Sequence, residues 1–317
     1  MHSISRRLRK LNFGKYIVYI SFLAVLAVFA VILRDKGFLS YRNMMNILRQ
    51  TAMITVAAVG MTFVISAGLI DLSRGSVVAL SALVTALALR GGGLIPAVLA
   101  GLGVGLACGL VNGVVTAKVR IPAFLVTLGT STIFGGLART ITNLEAVSIT
   151  HNTFNFVFGA GDIGPVSTLF IWTLVAIAIG QLFYRKTTFG RSVLSVGGNE
   201  SAAQYSGIQV DRIKIAVMAI CGVTAAFAGI LYAGRLHGAR YTLGENDGMS
   251  IIASVVIGGT SFTGGKGTVV GTLIGSLVIG MLNNGLLLMG LTVSEQMIAR
   301  GIIIILAVSF SLRQSKK

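Results

Sequence analysis

Tyr184 to Lys214 reads Y-R-K-T-T-F-G-R-S-V-L-S-V-G-G-N-E-S-A-A-Q-Y-S-G-I-Q-V-D-R-I-K, the longest polar island in the chain, with strongly apolar sequence on both sides. A polar loop between two apolar runs is what a chain threading a membrane produces. The island also carries helix signals of its own. Asn199 is a good N-cap, because its side chain can accept from the free N–H groups of a first turn. Glu200 follows where the positive end of the helix dipole favours an acid. Ser201 to Ser206 holds two alanines, and Gly207 is placed to end the helix in a left-handed C-cap. About two turns result, a length that is marginal in water and needs packing against something else. The stretch is either a plain connector between spans or a docking element for a partner.

Working outward, the composition agrees with a membrane chain. The 317 residues are 54% hydrophobic and only 11% charged, with a mean hydropathy of +0.87, whereas a soluble chain is about one-quarter charged. Apolar runs recur along the whole length, so the sequence reads as an all-α polytopic membrane protein. A transmembrane β-barrel would alternate apolar and polar residues along each strand, and neither Ile17–Leu33 nor Ile302–Val308 alternates. The formal net charge of +17 would suggest nucleic acid in a soluble chain, but no basic patch interleaved with aromatics supports that. Basic loops facing the cytoplasm explain it more simply. Cys108 and Cys221 both lie in apolar segments, and His2, His151 and His237 are scattered, so neither a disulfide framework nor a metal site is expected.

Ten spans are predicted: Tyr16–Leu33, Thr51–Ile70, Gly75–Leu89, Leu94–Thr116, Pro122–Ile141, Thr168–Tyr184, Ile213–Ala233, Met249–Phe262, Thr268–Met289 and Met297–Leu312. The third and eighth are short enough to be broken or re-entrant. The basic N-terminal stretch reads as the flank of a retained first span, because no small-residue cleavage pattern follows Leu33. Lys and Arg concentrate on the side of the N-terminus, which puts both termini and the 185–212 loop in the cytoplasm. Arg34 to Gln50 is too polar to span and is expected as a short amphipathic surface helix leading into the second span. Residues 142–167 form a long loop on the outer side, available to a partner or as a plug. The V-I…basic-G-[ST]-V-V pattern of Val64–Val78 returns at Val256–Val270.

Several side chains are candidates for work. Thr51, Thr55, Thr62 and Ser66 fall on one arc of a helix, where they either line a path or satisfy themselves on carbonyls one turn back. Asn283 and Asn284 are paired amides in an apolar span, so they either meet a solute or bond between helices. Glycines repeat every four residues from Gly101 to Gly113 and from Gly267 to Gly275, the pattern of close helix packing. Gly68–Gly75, G-L-I-D-L-S-R-G, sets Asp71 and Arg74 between apolar runs. It is read as a tight cytoplasmic turn in which Asp71 caps the next helix, and Arg74 argues against burial in the membrane. Gly258–Thr268, G-G-T-S-F-T-G-G-K-G-T, imitates a phosphate loop, but Thr260 stands where that motif needs glycine and no strand precedes it. None of the nine acids falls in the middle of a predicted span, so energy for any transport should come from outside the chain. No nucleophile–base pair or paired carboxylates point to an enzyme.

F-G-R-S-V-L-S-V-G-G-N-E-S-A-A-Q-Y-S-G-I resembles the cytoplasmic coupling-helix loop of the ribose-type permeases of ABC importers. I-P-A-F-L-V-T-L-G-T, from Ile121, and the glycine-rich Gly258–Thr268 are similar to the same family. So is Gly68–Gly75, except that Arg74 stands where the family is usually apolar. The resemblance runs from G-F-L-S-Y-R-N-M-M-N to the tenth span. It implies a type II-like ABC importer permease, one transmembrane domain over 1–317, multi-pass in the bacterial inner membrane and surrounded by lipid. It implies no cofactor, no catalysis by this chain, and three partners: an ABC ATPase subunit, an extracytoplasmic sugar-binding protein and a second permease subunit, identical or paralogous. On that reading Arg191, Asn199, Glu200, Ala203, Ser206 and Gly207 couple to the ATPase, with Glu200, Ala203 and Ser206 on the face toward it. Thr55, Thr62, Thr127, Thr130, Asn283 and Asn284 are candidates for the path, and Asp71, Ser73 and Arg74 for a turn or gate. The cargo expected is a monosaccharide, ribose or a similar sugar; a secondary carrier or facilitator for a small neutral solute is the alternative.

Overall fold

A computed structural model describes residues 13–299 and 301–302. The long helices are α1 (Phe13–Ile32), α2 (Tyr41–Ser66), α3 (Arg74–Gly91), α4 (Leu94–Val114), α5 (Ala123–Thr140), α7 (Thr168–Lys186), α10 (Val210–Arg235) and α12 (Val269–Leu288). Four shorter ones are α6 (Asn152–Asn155), α8 (Thr188–Gly198), α9 (Glu200–Tyr205) and α11 (Gly248–Ile257). Six of these helices are long and apolar enough to cross a membrane: α2, α3, α4 with its extension to Val119, α7, α10 and α12. Ten spans are therefore not found among the described residues. The predicted eighth span is only the ten residues of α11, about 15 Å of helix against a hydrocarbon core of about 30 Å. The predicted tenth, Met297–Leu312, lies for the most part outside the described residues.

Helix α2 is the centre of the bundle, with every residue from Thr51 to Ser66 buried. It begins earlier than the sequence suggested. Ser40 caps it, its hydroxyl accepting from Asn43 N at 3.3 Å, and the polar residues 41–50 form its first turns rather than a separate surface helix. Met45 and Ile47 are the inward residues of that polar stretch, which is why the helix continues without a break.

The glycine repeats are packing seams, as expected. A Cβ on Gly105 would come within 2.4 Å of the Gly222 carbonyl oxygen, and one on Gly109 within 2.5 Å of that of Met218. Helices α4 and α10 thus touch backbone to backbone. Gly271 and Gly275 let α12 approach α11 in the same way, against the carbonyls of Gly258 and Ser254. Hydrogen bonds in such interfaces add roughly 0.6 kcal/mol each, so close backbone packing supplies most of the cohesion.

The 142–167 segment is folded onto the bundle. Val147–Ser148 pairs antiparallel with Gly238–Ala239 beyond α10. Phe158 stacks on Trp172 with ring centroids 5.6 Å apart, and Phe227 of α10 meets both rings edge-on. Arg49 at the start of α2 bonds Asp162 of this segment, so it closes one end of the molecule. Helices α8 and α9 lie at the other end.

The repeated sequence pattern occupies matching places. Each copy covers a helix end, a loop and the start of the next helix, α2 to α3 and α11 to α12, although only the second loop is rich in glycine. The two loops also meet, since Gly264 abuts Gly68 and both touch Gly197 of α8.

Candidate functional site

The polar island folds into two helices, not one. Thr187 caps α8, its hydroxyl accepting from Gly190 N at 3.2 Å, and Gly190, Val193 and Val196 form the buried face. Arg191 is on the exposed face. Asn199 caps α9 as predicted, its Oδ1 accepting from Ala202 N at 2.9 Å. Gly207 ends the helix at φ +83°, a left-handed conformation that suits glycine. Glu200 pairs with Lys214 at 2.7 Å, and the Ser206 hydroxyl folds back onto Ala202 O.

The orientation of α9 differs from the expectation. Ala203 is only 4% exposed and packs with Val196 and Val210, so it faces the protein rather than a partner. Glu200 and Ser206 are exposed as expected, together with Ser201, Ala202, Gln204 and Tyr205. Tyr205 is 92% exposed, an aromatic side chain presented at the tip of an ordered helix. Beside it a groove of about 890 Å³ is lined by Lys118, Arg120, Gln204, Asp211, Arg212 and Lys214.

This pair of helices is fixed to the bundle by its glycines. A Cβ on Gly197 would lie 1.8 Å from the Ser66 carbonyl oxygen. That carbonyl, at the end of α2, accepts from Gly265 N at 3.0 Å. The Gly258–Thr268 loop is therefore not a phosphate cradle, because its backbone is used to hold α8 and α2 together.

A second polar constellation lies inside the bundle. Asp71 and Ser73 are buried, and Arg74 is 1% exposed. Gly68–Gly75 thus starts at the surface with the exposed Gly68 but carries its charged residues into the bundle, unlike the surface turn expected. Its acid is buried within the bundle, Asp71 being only 2% exposed. Asp71 Oδ1 accepts from Ser73 N at 2.8 Å and from Ser73 Oγ at 2.7 Å. Asp71 thus braces the residue before α3 and does not cap the helix itself. Asn112 of α4 donates to Ser73 Oγ at 2.8 Å and accepts from Thr130 Oγ1 of α5 at 2.7 Å. A chain of hydrogen bonds, Thr130–Asn112–Ser73–Asp71, therefore ties three elements. Asn112 was not singled out in the sequence, although a lone amide in a glycine-rich apolar helix signals a partner. Thr127 holds the same loop, accepting from Leu72 N at 3.0 Å and donating to Ala123 O at 2.8 Å.

The other candidate polar residues lie between helices. Thr55 Oγ1 is 2.6 Å from Ser276 Oγ, and Thr62 Oγ1 is 2.8 Å from Thr272 Oγ1. Both also donate to carbonyls one turn back. Asn284 exchanges two amide hydrogen bonds with Asn43, at 2.9 and 3.0 Å, while Asn283 is half-buried. A small polar patch is also exposed. It comprises Thr132 and Arg139 of α5, set among exposed apolar residues such as Leu128, Ile133 and Leu137, with Glu245 and Asn246 of the loop before α11. Arg139 stacks over Tyr241 at 5.3 Å. Among the described residues no group of three His, Cys, Asp or Glu is placed to hold a metal.

Residues 43–308 match the family model described as branched-chain amino acid transport system / permease component. The chain is 40% identical over 287 residues to the ribose import permease protein RbsC of Bacillus subtilis, covering 90% of this chain and 89% of that one. It is 42% identical to RbsC of Escherichia coli K12, over 86% of each. The galactose/methyl galactoside import permease protein MglC of Haemophilus influenzae is 34% identical, over 90% of this chain and 91% of that one. No solved structure matches. With several helices fit to cross a membrane and relatives matched nearly end to end, the chain belongs to this family of multi-pass membrane permeases.

Proposed function

We propose that the chain is the membrane permease subunit of an ATP-driven importer for a monosaccharide, a single transmembrane unit that hydrolyses nothing itself. The observation that carries this reading is the α8–α9 element. It is capped at both ends, seated on the end of α2 through Gly197, and presents Tyr205 outward. An exposed aromatic on a rigid ledge is the form of an interface anchor, and a secondary carrier would have no need of one. On this reading a separate ATPase docks at that end, in the cytoplasm. Its movement reaches α2 and the Gly258–Thr268 loop together, because both touch Gly197. A sugar-binding protein works at the opposite face of the inner membrane, and a second permease subunit completes the conduit. The names of the relatives support a sugar as cargo.

For the conduit we favour the exposed polar patch of α5 and the loop before α11. Charged side chains such as Arg139 and Glu245 are costly against lipid, so a partner subunit or water should cover them. Thr127 and Thr130 lie just behind this patch. The hydroxyls of Thr55 and Thr62 and the Asn284 amide are committed to interhelical bonds, which suits packing. The test is purification of the tagged chain with its associated proteins, followed by reconstitution in liposomes. An ATPase subunit should co-purify, and a labelled monosaccharide should accumulate only with ATP. Accumulation without ATP, driven by an ion gradient, would make the chain a secondary carrier.

A further inference from the structure

Arg74 is 1% exposed, yet its Nη1 has no hydrogen-bond partner among the described residues. Nε donates to Asp71 O at 3.2 Å, and Nη2 reaches Gly248 O only at 3.5 Å. No carboxylate lies within 4.0 Å of the guanidinium among the described residues. The acids at hand are engaged elsewhere, Asp71 on both donors of Ser73 and Asp247 on the Tyr232 hydroxyl. Arginine keeps its charge in any protein setting, and an unpaired buried charge is costly.

The surroundings raise that cost. Arg74 is the first residue of α3, and Gly248, which it touches, is the first residue of α11. Two helix N-termini therefore meet at one point inside the bundle, one helix leading toward each end of the molecule. Both direct the positive end of their dipoles there, which is the unfavourable end for a cation. The hydroxyl of Ser250, in the first turn of α11, is also buried without a partner. Asp71 and the N-cap Asp247 bring negative charge nearby, but neither pairs with the guanidinium within 4.0 Å, so its unbonded Nη1 and the two helix starts still favour a negatively charged oxygen. Discontinuous helices in transporters use their N-termini on anionic substrate groups in this manner. Gly248 and Met249 reach the surface beside Glu245, Asn246 and Thr132, so Arg74 lies one layer beneath the polar patch assigned above to the conduit.

We propose that Arg74 binds an oxyanion of the cargo, so that this permease moves a monosaccharide bearing a carboxylate or phosphate in preference to a neutral sugar. The inference rests on the importer reading and names the class of its cargo. Arg74 would determine specificity, with Ser250 supplying a second donor.

The experiment uses the reconstituted complex with its own ATPase and binding protein. Uptake of labelled D-ribose, D-ribonate and D-ribose 5-phosphate is compared in the wild type, Arg74→Met and Arg74→Lys. One of the two anions should enter at least tenfold faster than ribose in the wild type; which one distinguishes carboxylate from phosphate. Arg74→Met should abolish that preference, and Arg74→Lys should retain part of it. A second measurement needs no variant: the favoured anion should raise the melting temperature of the wild-type complex, while equal ribose should not. ATP-dependent uptake of ribose at least as fast as both anions, or an unchanged preference in Arg74→Met, would overturn the inference and leave the importer reading intact. ATP-independent uptake of every sugar would instead overturn the importer reading.

Discussion

At the scale of single residues, the buried chain from Thr130 through Asn112 and Ser73 to Asp71 carries the largest expected penalties. Asn112→Leu removes the amide, leaving Thr130 only a long 3.4 Å bond to Thr127 O. It also deprives Ser73 Oγ of its donor, so that it keeps only its bond to Asp71. An unsatisfied buried polar group costs about 1–3 kcal/mol, so thermal unfolding of the purified chain should begin several degrees lower. An unchanged melting temperature would mean that this network is not sustained. Asn199→Ala should cost about 1 kcal/mol of local helix stability, seen as faster amide exchange at Ala202 with the rest of the molecule unaffected. The caps of α9 were legible in the sequence because Asn199 and Gly207 act through their own backbone neighbours. The direction of Ala203 was not. A spacing of three tells which residues share a face, but only Val196 and Val210, which cover that face, tell where it points. Arg74 was misjudged for a related reason: a charge between apolar runs reads as a surface turn, and nothing local shows two helix starts converging on it.

Among elements, the seat of α8 on α2 is the joint that matters most. Gly197→Val would place carbon atoms into the Ser66 carbonyl and the Gly265 amide, both backbone, so the neighbours can yield only by separating. Uptake should fall at least tenfold while the chain still inserts, because α8 is not one of the helices long and apolar enough to cross a membrane. Normal uptake by this variant would mean that the contact transmits nothing. Gly109→Leu tests the α4–α10 seam instead. It should lower the yield of folded chain, since the obstacle there is the Met218 backbone itself. The glycine period announced this seam in the sequence, whereas α8 passed unnoticed within a stretch that looked merely polar. The first turns of α2 were missed likewise, because the polarity of residues 41–50 outweighed the inward pair Met45 and Ile47.

For the whole molecule, the membrane class and the family were legible from composition and a few motifs, while the number of spans was not. Of the two short runs, the eighth is indeed only the ten residues of α11, whereas the third extends into the 18-residue α3. Ser201 and Ser148 lie at opposite ends of the bundle and give its orientation directly. With Cys108 and Cys221 replaced by alanine, a single cysteine at 201 should react with a membrane-impermeant reagent only after the cytoplasmic side is opened. A cysteine at 148 should react in intact cells, and the reverse pattern would invert the molecule.

The central claim is that α8 and α9 join this chain to an ATPase, and Tyr205→Arg tests it most directly. Tyr205 is 92% exposed and outside the bundle, so its replacement should leave folding and membrane insertion alone. The measurement is ATP hydrolysis stimulated by the cargo-loaded binding protein in the reconstituted complex, with retention of the ATPase subunit during purification. Stimulation should drop at least tenfold and the ATPase should be lost or loosely held. Full stimulation with full retention would show that the coupling surface lies elsewhere.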